Sequence, residues 1–278
     1  MTIQQALNLA SQKLTATSAS PELDAEVLLT WAINKSKEYL AANPAEELSA
    51  DQQEKFQQAL SQRQTGLPVA YITNTKEFFG YDFYIDQRVL IPRPETESLV
   101  EQVLALARPG DTIADVGTGS SCIACSLALT NDKLTILASD ISADALAVAQ
   151  ENINRLKASV KLFQGDLLMP LAGIKLDIIV ANLPYVDKNR LDTNNQRSAG
   201  LRFEPALALF GGSFGIETYT KFFEQIAALE SLPRHVLIEI DPYQADQLID
   251  LIKQLFPTTH SQIKKDLAGL PRVVQTDF

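Results

Sequence analysis

From about residue 91 to the C-terminus, short apolar runs rich in β-branched residues alternate with longer stretches of helical periodicity. The strand-like runs are TIADV (112–116), LTILAS (134–139), VKLFQG (160–165), LDIIVAN (176–182), HVLIEI (235–240) and the terminal RVVQTDF. Between them lie ETESLVEQVLALA, CIACSLALT, ADALAVAQENINRLK, IETYTKFFEQIAAL and YQADQLIDLIKQLF. Such alternation builds βαβ units, so the fold class is α/β, a mostly parallel sheet with helices on both faces. Ligands of these sheets bind outside the carboxyl ends of the strands. The residues that follow each run are therefore where chemistry is expected.

The first seventy residues read differently. Leu7, Ala10 and Leu14 recur at helical spacing, and Pro21-Glu22 opens a second helix whose apolar face is Leu23, Val27, Leu28 and Trp31. Ser49 is placed to cap a third helix that carries Phe56, Leu60 and Arg63. EFFGYDFYI then reads as a hairpin turning near Gly80 and Tyr81. The predicted organisation is a helical domain over 1–70, a hairpin linker over 71–90 and an α/β domain over 91–278.

Composition narrows the function classes. With 24 Lys and Arg against 34 Asp and Glu, the formal charge is −10, which disfavours a partner held through phosphates. No run approaches a membrane-spanning length and the N-terminus lacks a secretory pattern, so the expectation is a cytoplasmic protein with no membrane and no direct nucleic-acid partner. The two cysteines, Cys122 and Cys125, sit in an apolar helical run and read as core rather than as a redox or metal pair. His235 and His260 share no ligand spacing with them, so no metal is expected.

Three strand ends carry motifs. Gly117, Thr118, Gly119, Ser120 and Ser121 follow the TIADV strand and lead straight into a helix, where glycines allow close backbone approach and free N–H groups face a ligand. Asp140 ends the next strand, placed to accept hydrogen bonds from ribose hydroxyls, and Asp166 and Leu167 end the third, where an adenine would lie. The full dinucleotide spacing is missing. A single nucleoside with a small charged appendage fits better, and S-adenosylmethionine is such a ligand.

The fourth strand ends in Asn182, Leu183, Pro184 and Tyr185. The segment resembles the Asn/Asp-Pro-Pro-Tyr tetrapeptide found at this place in methyltransferases that act on planar amide or amino nitrogens. Such a nitrogen is a poor nucleophile because its lone pair is delocalised. An Asn oxygen and a backbone carbonyl that accept its two N–H bonds hold it and favour charge development. On that resemblance Asn182 is expected to supply the side-chain acceptor, Leu183 the carbonyl and Tyr185 an aromatic wall. Leu183 replaces the first Pro of the pattern, and Pro184 still biases its backbone toward extended geometry.

Leu90 to Glu97 (LIPRPETE), with Pro68 to Ile72 and Glu77 to Gly80 before it and Asn182 to Tyr185 after it, resembles the peptide chain release factor glutamine methyltransferases. Further matches are Phe203 to Pro205, Ala208-Leu209, Gly211-Gly212, Glu239 with Gln244, Asp266 to Gly269, and Arg272 to Val274. Ser121 and Asp241 stand where relatives usually carry Gly. The resemblance implies a Rossmann-like, S-adenosylmethionine-dependent methyltransferase domain with a mostly parallel seven-stranded sheet. It implies methyl transfer to the side-chain nitrogen of the Gln in the Gly-Gly-Gln motif of class 1 release factors. Carried onto this sequence, Gly117 to Ser121, Asp140, Leu167 and Asn182 contact the cofactor. Asn182 to Tyr185, with Arg93 and Glu95, contact the substrate, and the N-terminal helices dock the release factor. Two other readings stay open: an adenine-amino DNA methyltransferase, which shares the tetrapeptide logic, and a degenerate binder without turnover.

Overall fold

The computed structural model describes residues 1–187, 200–212, 215–266 and 268–278. Leu267, one of the residues matched above, lies outside them. Two compact units divide the chain. One is Met1–Thr75 with residues 200–203; the other takes up 76–187 and continues from Glu204.

The first unit is helical: α1 (Ile3–Leu14), α2 (Pro21–Ile33), α3 (Lys37–Ala42), α4 (Ala50–Gln64) and α5 (Val69–Thr73). Capping boxes start α1 at Thr2/Gln5 and α4 at Ser49/Gln52, satisfying orphan N–H groups at both ends of each box. Ile3, Leu14, Leu28, Leu29, Phe56 and Leu60 form its core. The face of α2 differs from the sequence expectation. Leu23 is 48% exposed, while Ala25, Leu29 and Ile33 are buried. This helix is apolar nearly all round, so periodicity does not mark its inward side.

At the start of the second unit, β1 (Thr75–Phe78), whose first residue closes the first unit, and β2 (Tyr81–Tyr84) form the hairpin. Its turn is Phe79-Gly80, both with positive φ, and Tyr81 already belongs to β2. Two-residue hairpin turns of this hand match the twist of the strands. The Phe79 N–H donates to the Glu97 carboxylate at 3.0 Å, which steadies a left-handed aromatic residue.

Seven strands then form one sheet: β3 (Thr112–Val116), β4 (Thr135–Asp140), β5 (Val160–Gln164), β6 (Ile178–Ala181), β7 (His235–Glu239), β8 (His260–Lys265) and β9 (Pro271–Asp277). The order is β5-β4-β3-β6-β7-β9-β8, with β9 antiparallel to both neighbours and the rest parallel. Strand β8 is the one that the apolar runs miss. HSQIKK is a polar edge strand, and an edge strand needs no hydrophobic run to pair. Helices α6 (Glu97–Leu106), α7 (Cys122–Thr130), α8 (Ala143–Leu156), α9 (Ala206–Leu209), α10 (Glu217–Ala227) and α11 (Ala245–Leu255) complete the unit. Its core centres on Val116, Ile179, Phe222, Phe223, Ile238 and Leu248, all buried. Cys122 and Cys125 are buried on α7. Among the described residues no helix is long and apolar enough to cross a membrane.

Candidate active site

Parallel register decides what meets at the strand ends. Val116 pairs with Ser139 on one side and Ala181 on the other, and Asp140 pairs with Gln164. The segments that begin at Gly117, Ile141, Gly165 and Asn182 therefore emerge side by side at one edge of the sheet. Strand order reverses between β3 and β6, and such a switch point leaves a crevice. A cavity of about 610 Å³ opens there.

The predicted residues divide into those that line this cavity and those that do not. Gly117 to Ser120, Asp140, Leu167, Asn182, Leu183, Pro184 and Arg93 line it. Ser121, which is buried, Glu95, which is exposed, and Tyr185 are not among the residues that line it. The Tyr185 hydroxyl donates to Glu239 at 2.9 Å.

The glycine loop is held by Asp140. Its Oδ2 accepts the Gly119 N–H at 2.9 Å and its Oδ1 accepts the Ser142 N–H at 2.9 Å. Gly119 has φ of 54°, and a Cβ there would meet nothing within 4 Å, so the loop approaches the cavity unobstructed. Asp115 lies fully buried beneath the loop and accepts the Thr118 hydroxyl at 2.6 Å. Burial pushes its carboxyl up to about 7, with the nearby Asp140 charge acting in the same direction. Burial raises Asp140 as well, against three backbone N–H groups that favour its charged form. Leu167 takes a left-handed φ of 53°, and its carbonyl accepts the Ser139 hydroxyl at 2.9 Å. Asp166 pairs with Lys221 at the cavity rim.

Asn182 to Tyr185 are gripped from several sides. A Cβ at Gly211 would stand 2.2 Å from the Pro184 carbonyl oxygen, and one at Gly215 would stand 2.3 Å from that of Tyr185. The Gln244 amide donates to the Tyr185 carbonyl at 2.8 Å and to that of Gly215 at 3.0 Å. The Leu183 side chain is buried against Gly117, and the Tyr219 hydroxyl lies 3.4 Å from the Leu183 carbonyl. The Asn182 amide nitrogen donates to the Thr96 hydroxyl at 3.1 Å, and that hydroxyl donates to Glu239 at 2.6 Å. Arg93 is committed to the buried Glu204, which also accepts the Ile91 N–H at 3.2 Å. The Pro-Arg-Pro-Glu-Thr segment is thereby fixed from beneath.

Sequence reasoning assigned no task to Thr96, Glu204, Tyr219, Glu239 or Gln244. The strand-end rule contained the signal for Glu239, because that residue closes β7 as Asn182 follows β6.

Comparison with known proteins bears on the same elements. Residues 5–73 match the PrmC N-terminal domain and residues 95–198 match the methyltransferase small domain. A release factor glutamine methyltransferase of Koribacter versatilis is 39% identical over 99% of this chain and 98% of its own length. Another, of Moorella thermoacetica, is 41% identical over 98% of this chain and 97% of its own. The chain belongs to the release factor glutamine methyltransferases. Solved structures agree in fold: a methyltransferase from Pyrococcus furiosus gives a TM-score of 0.53 at 19% identity, covering 73% of this chain and 91% of that one. The N-terminal domain of human METTL16 in complex with SAH gives 0.52 at 18% identity, covering 72% of this chain and 76% of that one.

One departure of this methyltransferase from the usual pattern has a measurable cost. Ser121 has φ of 65°, so the position does require a left-handed backbone and not merely a small side chain. That conformation costs a non-glycine residue about 1–2 kcal/mol, against about 0.4–1 kcal/mol of extra chain entropy lost by glycine. Ser121→Gly should raise unfolding free energy by about 0.5–1 kcal/mol in denaturant melts. A loss of stability would show that the Ser121 side chain stabilises more than its backbone costs.

Proposed function

We propose that Gly117 to Gly119, Asp140 and Leu167 hold S-adenosylmethionine, and that Asn182 and the Leu183 carbonyl hold the side-chain amide of the substrate Gln beside it. The target is the Gly-Gly-Gln glutamine of class 1 release factors, in the cytoplasm. The residues present suit the cofactor. Asp140 keeps acceptor capacity for a ribose hydroxyl beside the backbone N–H groups of Gly119 and Ser142 that it accepts at 2.9 Å. Leu167 and Ile141 supply apolar surface for a flat base, and the open side of Gly119 leaves room for the remainder.

When bound, S-adenosylmethionine supplies an electrophilic sulfonium methyl group. The protein's own contribution is positional. Asn182 Oδ1 and the Leu183 carbonyl accept the two N–H bonds of the amide, hold its nitrogen in place and stabilise the positive charge that grows on it as the methyl arrives. No side-chain base is needed in advance, because the nitrogen loses its proton to water after transfer. The N-terminal helices serve as the docking surface for the release factor.

The observation that carries this reading is the adjacency of Gly117 and Asn182 across the β3–β6 switch point, cofactor loop beside amide clamp. Supplied with labelled S-adenosylmethionine and either a class 1 release factor or duplex DNA, the enzyme should label the release factor alone. Label in DNA would favour the adenine-amino reading. Cofactor binding by calorimetry with neither substrate labelled would favour the degenerate binder.

A further inference from the structure

We infer that the buried Glu239 carboxylate, acting through the Thr96 hydroxyl, sets which end of the Asn182 amide faces the cavity. The inference rests on the proposed use of Asn182 Oδ1 as the acceptor for the substrate amide.

An Asn side chain has two ends of similar shape and opposite polarity, and only one suits the reaction. The chain of partners fixes the choice. An ionised carboxylate can only accept. Glu239 Oε2 therefore takes the single hydroxyl proton of Thr96, at 2.6 Å. With that proton committed, the Thr96 oxygen can only accept from its other neighbour, so it selects the NH₂ end of Asn182, at 3.1 Å. The Asn182 oxygen is left pointing the other way, toward the cavity that the residue lines. Glu239 Oε1 meanwhile takes the Tyr185 hydroxyl at 2.9 Å, so one carboxylate ties both ends of the Asn182–Tyr185 segment. Glu239 and Thr96 are 1% and 2% exposed, which keeps water from offering either group a substitute partner.

Thr96 and Glu239 are thus positioning residues, and the relay depends on charge. If Glu239 takes up a proton it becomes a donor. Thr96 can then turn its own proton toward Asn182, and the amide flips its NH₂ toward the substrate nitrogen. Burial raises the Glu239 carboxyl from its ordinary value. The groups that face it are the hydroxyls of Thr96 and Tyr185, the Arg272 charge that opposes the shift and the Glu95 charge that adds to it; the Tyr219 hydroxyl donates to its backbone carbonyl. Being an acid with a raised value, Glu239 keeps the productive orientation above its titration point and loses it as pH falls through that point.

The test is steady-state methylation of a release factor by the full-length enzyme and its variants across pH. Thr96→Val should lower kcat ~10–100-fold, with KM for the release factor and calorimetric affinity for S-adenosylhomocysteine near wild type. Thr96→Ser, which restores the hydroxyl, should recover most of the rate. The acid limb of the wild-type kcat profile should be absent from Thr96→Val. Should that variant unfold, Glu239→Gln carries the same expectation, a ~10–100-fold lower kcat and no acid limb. Wild-type turnover in Thr96→Val or Glu239→Gln, or an acid limb that survives in either, overturns the relay while Asn182→Ala keeps its large loss of kcat. If Asn182→Ala itself turns over normally, the underlying reading of the clamp fails instead.

Discussion

Replacing Asn182 by Ala should lower kcat ~10²–10³-fold, the loss seen when one preorganised hydrogen-bonding group is taken from a site of charge development. The side chain follows the last residue of β6, Ala181, whose register against Val116 places it beside the glycine loop. Its removal leaves the β6 core untouched, since Ile178 to Ala181 are buried by their own contacts. Far-UV circular dichroism should therefore be unchanged. Asn182→Asp discriminates further, because a carboxylate still accepts an N–H but can no longer donate to Thr96. Its rate should fall between those of wild type and the Ala variant. Near-native turnover by Asn182→Ala would remove this residue from the mechanism.

Asp115→Asn should stabilise the protein at pH 8, and the gain should shrink as pH falls toward 4. Asp115 is 0% exposed at the end of β3, and burial pushes its carboxyl up to about 7 from an ordinary value of 3.8. Above about 7 the folded protein carries a desolvated charge that the unfolded chain solvates freely. Between 7 and 3.8 the folded state holds a proton that the unfolded state has released, so wild-type stability rises as pH drops through this window. An Asn at this position titrates in neither state and still accepts the Thr118 hydroxyl. The advantage of the variant at pH 8 should be on the order of 2–4 kcal/mol, fading to little near pH 4. Urea titrations at the two pH values measure it. A pH-independent difference would mean that shape rather than charge sets the cost of Asp115.

Much of this architecture was readable because both faces of the central strands are buried. Ile113, Ala114 and Val116, and Ile178 to Val180, have to be apolar throughout, and such runs stand out. HSQIKK at the sheet edge has no such requirement, which is why β8 left no mark in the sequence. The same contrast holds in the site. Asp140 and Asn182 follow from their places at strand ends, since backbone register alone brings them to the cavity. Tyr185 does not, because which way a side chain turns after a strand depends on partners distant in sequence. Its partner Glu239 lies 54 positions away. Arg93 is similar: the motif marks the residue, but only the fold reveals that Glu204 occupies its guanidinium. Ser121 shows the limit from the other side, for a small residue can be recognised as unusual without its φ being known.

The most direct measurement is the mass of the Gly-Gly-Gln peptide from a class 1 release factor incubated with this enzyme and S-adenosylmethionine, sequenced by tandem fragmentation. The expected result is one methyl group on the side-chain nitrogen of that Gln, and none on a release factor in which the Gln is replaced. A methyl group on any other residue, or equal methylation of the replaced factor, would contradict the assignment of Asn182 and the Leu183 carbonyl as a clamp for that amide.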